Sequence, residues 1–321
     1  MSSLIKIAPY NPAWPGLFAA KAEKIQKALG DNFIAIHHVG STSVPGLAAK
    51  PKIDIIAVVR DLNLPDNTLT DLGFIYKGGF NLPLRKTYTL RRPSISVNLH
   101  IFEEDDPEIE LNLLFREYLK GNPDALEKYA KLKEKLVKEE SSHFKNNSIY
   151  NGYTLGKNHF IQEVVKLTGF DKIRFVICTH YTELETAKNF RQKYFFDHAG
   201  IKDPYHWTFN HLEHEHLMLY LGTQIIGYAH IQLWKDMRAA MRIIVIDEPY
   251  RSQNYGAHFL RLIEKYLKMK GIKSLHAESS PAALEFYRKE GYVDMQFNDP
   301  DGYESDERDT PVGKILRSGN R

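Results

Sequence analysis

Cysteine is almost absent: Cys178 is the single one in 321 residues. No intrachain disulfide can form, and Cys178 closes the apolar run Phe175-Val176-Ile177-Cys178, where a core thiol is expected rather than a nucleophile. No apolar run approaches the roughly 20 residues of a membrane span. The opening Met1-Ser2-Ser3-Leu4-Ile5-Lys6 has no apolar core of a signal peptide. A reducing, cytoplasmic setting without membrane contact is expected. An excess of one charge is lacking too. The chain carries 43 Lys and Arg against 40 Asp and Glu, a net +3, which argues against a dedicated nucleic-acid binder. Internal repeats and low-complexity stretches are absent. What is present is 43% hydrophobic and 26% charged residues, enough for packed cores, and a length that favours two domains.

Periodicity supplies the elements. In the first half, Leu17, Phe18, Ile25 and Leu29 mark one face of a helix that stops near Gly30. Strands are expected at Phe33–Val39, Ile53–Val59 and Ser94–Phe102, and a helical pattern with a charged outer face at Glu108–Val137. A last helix is expected within Tyr150–Thr168, starting near Thr154. Gly169-Phe170-Asp171 is the expected boundary, giving domains 1–168 and 171–321. The second half restarts with strand Ile173–Thr179 and helix Thr182–Asp197. Strands His214–Leu221 and Gln224–Leu233 form a hairpin across Gly222-Thr223, and strand Ala239–Ile246 follows. Helix Tyr255–Met269, strand Lys273–Ala277, helix Pro281–Glu290 and strand Tyr292–Phe297 come next. An acidic loop, Asp299–Asp309, then precedes a short strand near Lys314–Leu316.

The segment from Arg242 to Leu260 reads as buried strand, polar turn, then helix. A turn feeding a helix start offers unpaired N–H groups and the positive end of the helix dipole to an anion. With Phe286-Tyr287 downstream, this segment resembles the acyl-CoA core of the GNAT acetyltransferases. The resemblance implies a mixed-sheet GNAT domain over 171–321 that uses acetyl-CoA to acylate an amine. It is an acyltransferase chemistry, for groups other than aminoacyl, with a small-molecule amine as the expected acceptor. The family's pyrophosphate turn, Arg/Gln-x-x-Gly-x-Gly/Ala, fits in two registers. One runs from Arg251, with Asn254 at the first glycine and Gly256 last. The other runs from Gln253, with Gly256 in the middle and His258 last. The first is preferred, since it keeps the Pro-Tyr-Arg lead-in and the helix register. It implies that Arg251, Ser252, Gln253, Asn254, Tyr255, Gly256 and Ala257 hold the cofactor. Val245 and Ile246 would polarise the thioester, and Ser280 stands where the family's Asn is usual. Tyr287 would protonate the leaving thiolate. For the base, Glu213, Glu215 and His230 are candidates, though cross-strand pairing accounts for each of them alone. His206, His211, His214 and His216 fit no strong zinc spacing, so no metal is expected there.

His37-His38-Val39-Gly40-Ser41-Thr42-Ser43 leading to Lys50-Pro51-Lys52-Ile53-Asp54-Ile55, with Asn98-Leu99-His100 and Phe115-Arg116-Glu117, resembles the GrpB family, also called UPF0157. The resemblance covers about 5–167 and implies a nucleotidyltransferase-like fold. The whole chain is then of the α/β (α+β) class. A nucleotide or phosphate site is implied at Gly40, Ser41, Thr42, Lys50, Asp54, Arg85, Lys86 and His100. Arg91 and Arg92 extend the basic cluster, for which a solvated loop face is an equal expectation. Asp54 is a weak Mg²⁺ candidate, because Ile56 occupies the place of a second carboxylate. The alternative to an acetyltransferase is a nucleotide-binding or nucleotidyl-modifying protein whose second half only binds CoA. The acceptor and the oligomeric state are not set by the sequence.

Overall fold

The computed structural model describes residues 6–65, 67–93, 95–139, 152–302 and 306–316. Ser94 and Tyr150, the expected starts of two elements, lie outside these residues, as does part of the acidic loop. The chain divides into two compact units, Met1–Arg174 and Phe175–Arg321. Among the described residues no helix is long and apolar enough to cross a membrane.

The first unit is built on a mixed sheet of five strands. These are β1 (Phe33–Val39), β2 (Ile53–Val59), β3 (Ile75–Gly78), β4 (Lys86–Arg92) and β5 (Ile95–Glu103), ordered β1-β2-β5-β4-β3. Only β2 and β5 run parallel; the other pairs are antiparallel. Ile53, Ile55, Ala57 and Val59 of β2 share one core with Val97, Leu99 and Ile101 of β5. Helix α1 (Trp14–Leu29) covers it with Trp14, Ile25 and Leu29. Because side chains alternate across a strand, the opposite face carries Asp54, Asn98, His100, Thr87 and Arg91. The expected helical stretch is two helices, α3 (Pro107–Gly121) and α4 (Pro123–Glu139), after the short α2 (Asn67–Thr70). Pro123 lacks an N–H, so the chain breaks at Asn122 and restarts with proline in the first turn. The last helix is also split, into α5 (Gly152–Leu155) and α6 (Asn158–Leu167).

The basic cluster is not a loop. Lys86–Arg92 is strand β4, paired with β5 along its whole length. This strand sends its members to opposite faces. Lys86, opposite Ile101, lies on the same face as Tyr88 and Leu90 of the core, whereas Arg91 stands on the Asp54 side.

The second unit has a seven-stranded sheet. Its strands are β6 (Ile173–Ile177), β7 (His214–Leu221), β8 (Gln224–Leu233), β9 (Arg238–Ile246), β10 (Ser274–Ser279), β11 (Val293–Asp294) and β12 (Thr310–Ile315). Their order is β11-β12-β10-β9-β8-β7-β6. Strands β9 and β10 are parallel, and their ladder joins only Arg238–Met241 to Ser274–Ala277. Beyond it β9 continues to Ile246 on β8 alone, so the sheet parts there. Helix α8 (Tyr255–Met269) follows β9 and buries Phe259, Leu260, Ile263 and Leu267, as its 3.6-residue apolar stripe requires. Helix α9 (Leu284–Lys289) is shorter than its pattern, and β11 keeps two residues of an expected six. Tyr292 and Phe297, which made that run look strand-like, are both buried without extending the ladder. Helix α7 (Tyr181–Arg191) does not run on to Asp197 as an α-helix. Residues Gln192–Phe196 form a π-helix, held by Gln192, whose amide donates to Asp197 Oδ1 and Ile201 O and accepts from the Asp203 N–H.

Candidate functional site

The turn after β9 has unusual backbone. Ser252 (φ 62°) and Asn254 (φ 64°, ψ 7°) both lie in the left-handed region, uncommon for residues with a side chain. Asn tolerates it better than most residues with a side chain, so the left-handed turn forms where the preferred register expects a glycine. Left-handed residues in such a turn gather N–H groups into an anion-binding concavity. Asn254 is the N-cap of α8, yet its side chain makes no capping bond. The first amides of the helix are therefore left open to an outside acceptor. Arg251 does not reach outward. Its Nε donates to Ile246 O at 2.9 Å, and its guanidinium lies 5.0 Å from the Tyr194 ring centre, which braces the turn against the end of β9.

Gly256 has no left-handed backbone to serve. A methyl there would lie 3.4 Å from the Phe286 ring and 3.7 Å from Ile246, a tolerable contact. If the glycine serves close approach of an anion to the backbone, Gly256→Ala should leave the melting temperature unchanged or raise it, since Ala favours a helix over Gly by up to about 1 kcal/mol. CoA affinity, measured by titration calorimetry, should nevertheless fall. Unchanged affinity would remove the close-approach role.

A cleft of about 720 Å³ opens in the same unit, lined by Met241, Arg242 and Ile243 of β9, by Glu278 and Ser280, and by aromatic side chains that include Phe195, Phe196, Tyr205, Trp207 and Phe297. Its volume is that of a small-molecule site. The π-helix supplies Phe195 and Phe196. Two arginines reach the cleft already neutralised. Arg191 forms a buried pair with Asp203 at 2.7 and 3.0 Å, and Arg242 meets Asp299 at 2.6 Å. The carboxylates Glu278, Asp306 and Asp309 also line it.

His230 lies in this cleft, but the structure removes it as a free base. Arg191 Nη1 approaches its Nδ1 at 2.9 Å, and His214 Nδ1 approaches its Nε2 at 2.8 Å. Arginine has only donors, so His230 accepts at Nδ1, carries its proton on Nε2 and donates it to His214. His214 then holds its own proton on Nε2, which has no partner among the described residues. Burial first, then nearby cations and imidazoles, pushes His214 down to about 4 and His230 well below its ordinary value. Both rings are neutral at pH 7, and the relay from Asp203 ends in an N–H donor. Glu215 is not in the cleft. It faces α8, where its carboxylate accepts from Tyr266 Oη (2.8 Å) and Lys270 Nζ (2.9 Å), on the opposite side of β7 from His214 and His216. Glu213 lies in the turn that leads into β7.

Tyr287 is buried on α9 against Phe286 and Tyr292, and burial raises its phenol above the ordinary value. It is not among the residues lining the cleft. Its neighbour Phe286 borders Gly256, which sets α9 beside the turn. Val245 and Ile246 stand past the last β9–β10 pair. Arg191, Asp203, Glu278 and the aromatic wall escaped the sequence reading, because they come together from segments that share no spacing.

In the first unit, Gly40 (φ 68°) turns the chain out of β1, and a methyl there would lie 2.7 Å from Asp54 Oδ2. Asp54 Oδ1 accepts from Asn98 Nδ2 at 2.8 Å, and Asn98 Oδ1 from Arg91 Nη2 at 2.7 Å. Thr42 is turned inward, with its hydroxyl on Lys52 O (3.2 Å) and His38 Nε2 (3.0 Å); it is not open to a phosphate. Ser41 precedes it in the same 3₁₀ turn. Arg85 donates to Gly79 O. His100 is pushed down to about 3 by burial, then by Arg85 and Lys52, so it is neutral. Lys50 stands 4.2 Å from the Tyr153 ring centre. Among the described residues no group of three or more His, Cys, Asp or Glu is placed to hold a metal.

Residues 4–167 match the GrpB protein family model, about half of the chain. The chain belongs to the GrpB family. Residues 179–292 match the acetyltransferase (GNAT) family, so a GNAT domain follows the GrpB unit. A UPF0157 protein of Halalkalibacterium halodurans is 35% identical over 167 residues, 50% of this chain and 81% of that protein. Among solved structures, GrpB from Enterococcus faecalis is 31% identical, with a TM-score of 0.44, covering 51% of this chain and 96% of that one. A putative N-acetyltransferase from Lactobacillus plantarum is 18% identical, with a TM-score of 0.40, covering 46% and 100%.

Proposed function

We propose that the GNAT domain is an acetyl-CoA-dependent N-acetyltransferase that acts by direct transfer on a small amine held in the aromatic cleft. The observation that carries this is the turn of left-handed Ser252 and Asn254 opening an uncapped helix at the end of β9, the strand that also lines the cleft. The residues Arg251 to Ala257 fit a pyrophosphate through their backbone. When bound, acetyl-CoA supplies a thioester carbonyl to an amine. The N–H of Ile246, on the edge of β9 turned away from β8 and beyond the β9–β10 ladder, would donate to the carbonyl oxygen. Glu278 takes the proton that an ammonium must lose before it attacks, a task for which neither His230 nor Glu215 is placed. Tyr287, kept neutral by burial, protonates the departing sulfur. Aromatic walls with Glu278 and Asp309 suit a cationic amine, Asp306 being already paired with Arg308, while the His214 N–H offers a donor to an oxygen of the acceptor. The GrpB unit serves as a phosphate- or nucleotide-binding or acceptor-recognition module.

The test is thiol release by the full-length protein from acetyl-CoA, with propionyl- and succinyl-CoA as comparisons, across a panel of mono- and polyamines. Turnover with acetyl-CoA on a cationic amine is the expected result. Tight CoA binding with no turnover on any amine would leave only a CoA-binding module.

A further inference from the structure

Lysines gather near Asp54 in the GrpB unit: its carboxylate attracts both Lys133 and Lys157, and Lys50 and Lys157 meet on the Tyr153 ring. Lys133 of α4 is 2% exposed, and its ammonium is bonded to Ala48 O. Lys157, just before α6, stands 4.7 Å from the centre of the Tyr153 ring, the ring that Lys50 approaches at 4.2 Å. Two cations thus share one buried aromatic ring. Burial first, then the other lysines, lowers Lys133 to about 7 and Lys157 to about 8, with Asp54 opposing in both cases; Lys50 and Lys52 are among the repelling charges. Among the described residues no carboxylate lies within ion-pair distance of Lys133 or Lys157. Asp54 is itself engaged by Asn98.

Gathering like charges in a partly buried pocket costs free energy that one carboxylate, Asp54, already bonded to Asn98, offsets only in part. A multiply charged anion returns it. We infer that Lys50, Lys52, Lys133 and Lys157 form a cradle for a polyphosphate-bearing compound, bound without a divalent metal. This rests on the reading of the GrpB unit as a phosphate-binding module and specifies how it binds. Lysines serve phosphate as point charges. The Gly40–Ser43 turn lies on Asp54, so its amides border the same place. A metal has little to hold it: one Asp oxygen is taken, and Ile56, on the same face, is an apolar, buried residue. In this arrangement Asp54 keeps the lysines assembled while the site is empty, and it repels the ligand.

The experiment is titration calorimetry on the full-length protein with inorganic triphosphate and with ATP, each in EDTA and again in Mg²⁺. Binding in EDTA is expected, weakened about ten- to a hundredfold in Lys157→Ala and also in Lys133→Met, and kept or tightened in Asp54→Asn. ATP binding more tightly than triphosphate would identify a nucleotide; equal affinity would identify the phosphate chain alone as the ligand. Lys157 is only half-buried, so its variant reads the site even if Lys133→Met fails to fold. Binding that appears only with Mg²⁺ and disappears in Asp54→Asn would overturn the metal-free cradle and leave the phosphate-module reading standing. Binding in EDTA that ignores Lys157→Ala would also overturn the cradle. No binding under any condition would overturn both.

Discussion

Tyr287→Phe is expected to lower kcat by about 10²- to 10⁴-fold, the range for losing a positioned general acid, with the Kd for CoA essentially unchanged. The substitution removes one oxygen and keeps the ring. That ring packs between Phe286 and Tyr292, so α9 and its contact with the turn should hold. Burial keeps the phenol protonated at neutral pH, as an acid requires at the start of the step. Thiol release at saturating substrates gives kcat, and calorimetry gives the CoA affinity. Equal losses in both would assign Tyr287 to packing and not to proton transfer.

Asp203→Ala is expected to destabilise the GNAT domain by about 3–5 kcal/mol, because it leaves the Arg191 guanidinium buried and unpaired. For a domain of this size that is a fall in Tm on the order of 10 °C. Arg191 and Asp203 have side-chain exposures of 1% and 0%, so solvent cannot replace the lost partner. The double variant Arg191→Met/Asp203→Leu should recover much of the loss, since an apolar pair carries no desolvation cost. A Tm within 2 °C of the parent in Asp203→Ala would show that water reaches Arg191. The double variant separates stability from chemistry: it frees His230 Nδ1, so the proton order along His230 and His214 is no longer imposed even where the fold recovers.

Local pattern made much of the architecture legible. Strands β1, β2, β7 and β8 and helix α8 have the expected bounds, because burial on one or both faces writes a period of 2 or 3.6 into the chain. Strand β4 was obscured by Lys86, Arg91 and Arg92, whose charges look like a loop until β5 pairs with them. Lys133 was hidden in the opposite way. It follows Tyr129 by four residues on the buried face of α4, but a lysine in a charged helix is ordinarily read as solvated. The Asn254 turn was readable because its backbone demand is local. The base was not: Glu215 and His230 sit on neighbouring strands, and only the sheet's two faces decide that one meets α8 and the other a cleft. Arg191 and Asp203 find each other across a π-helix that no periodicity announces.

The short β9–β10 ladder has a mechanical consequence. Four paired positions, Arg238–Met241 with Ser274–Ala277, join the sheet's two leaflets, and the cleft takes lining from both, through Arg242 and Ile243 on one and Glu278 and Ser280 on the other. Flexing about that seam changes the width of the cleft without breaking either leaflet. If the cleft holds the acceptor, the four-pair seam bears on the size it accepts, alongside the side chains that line the walls.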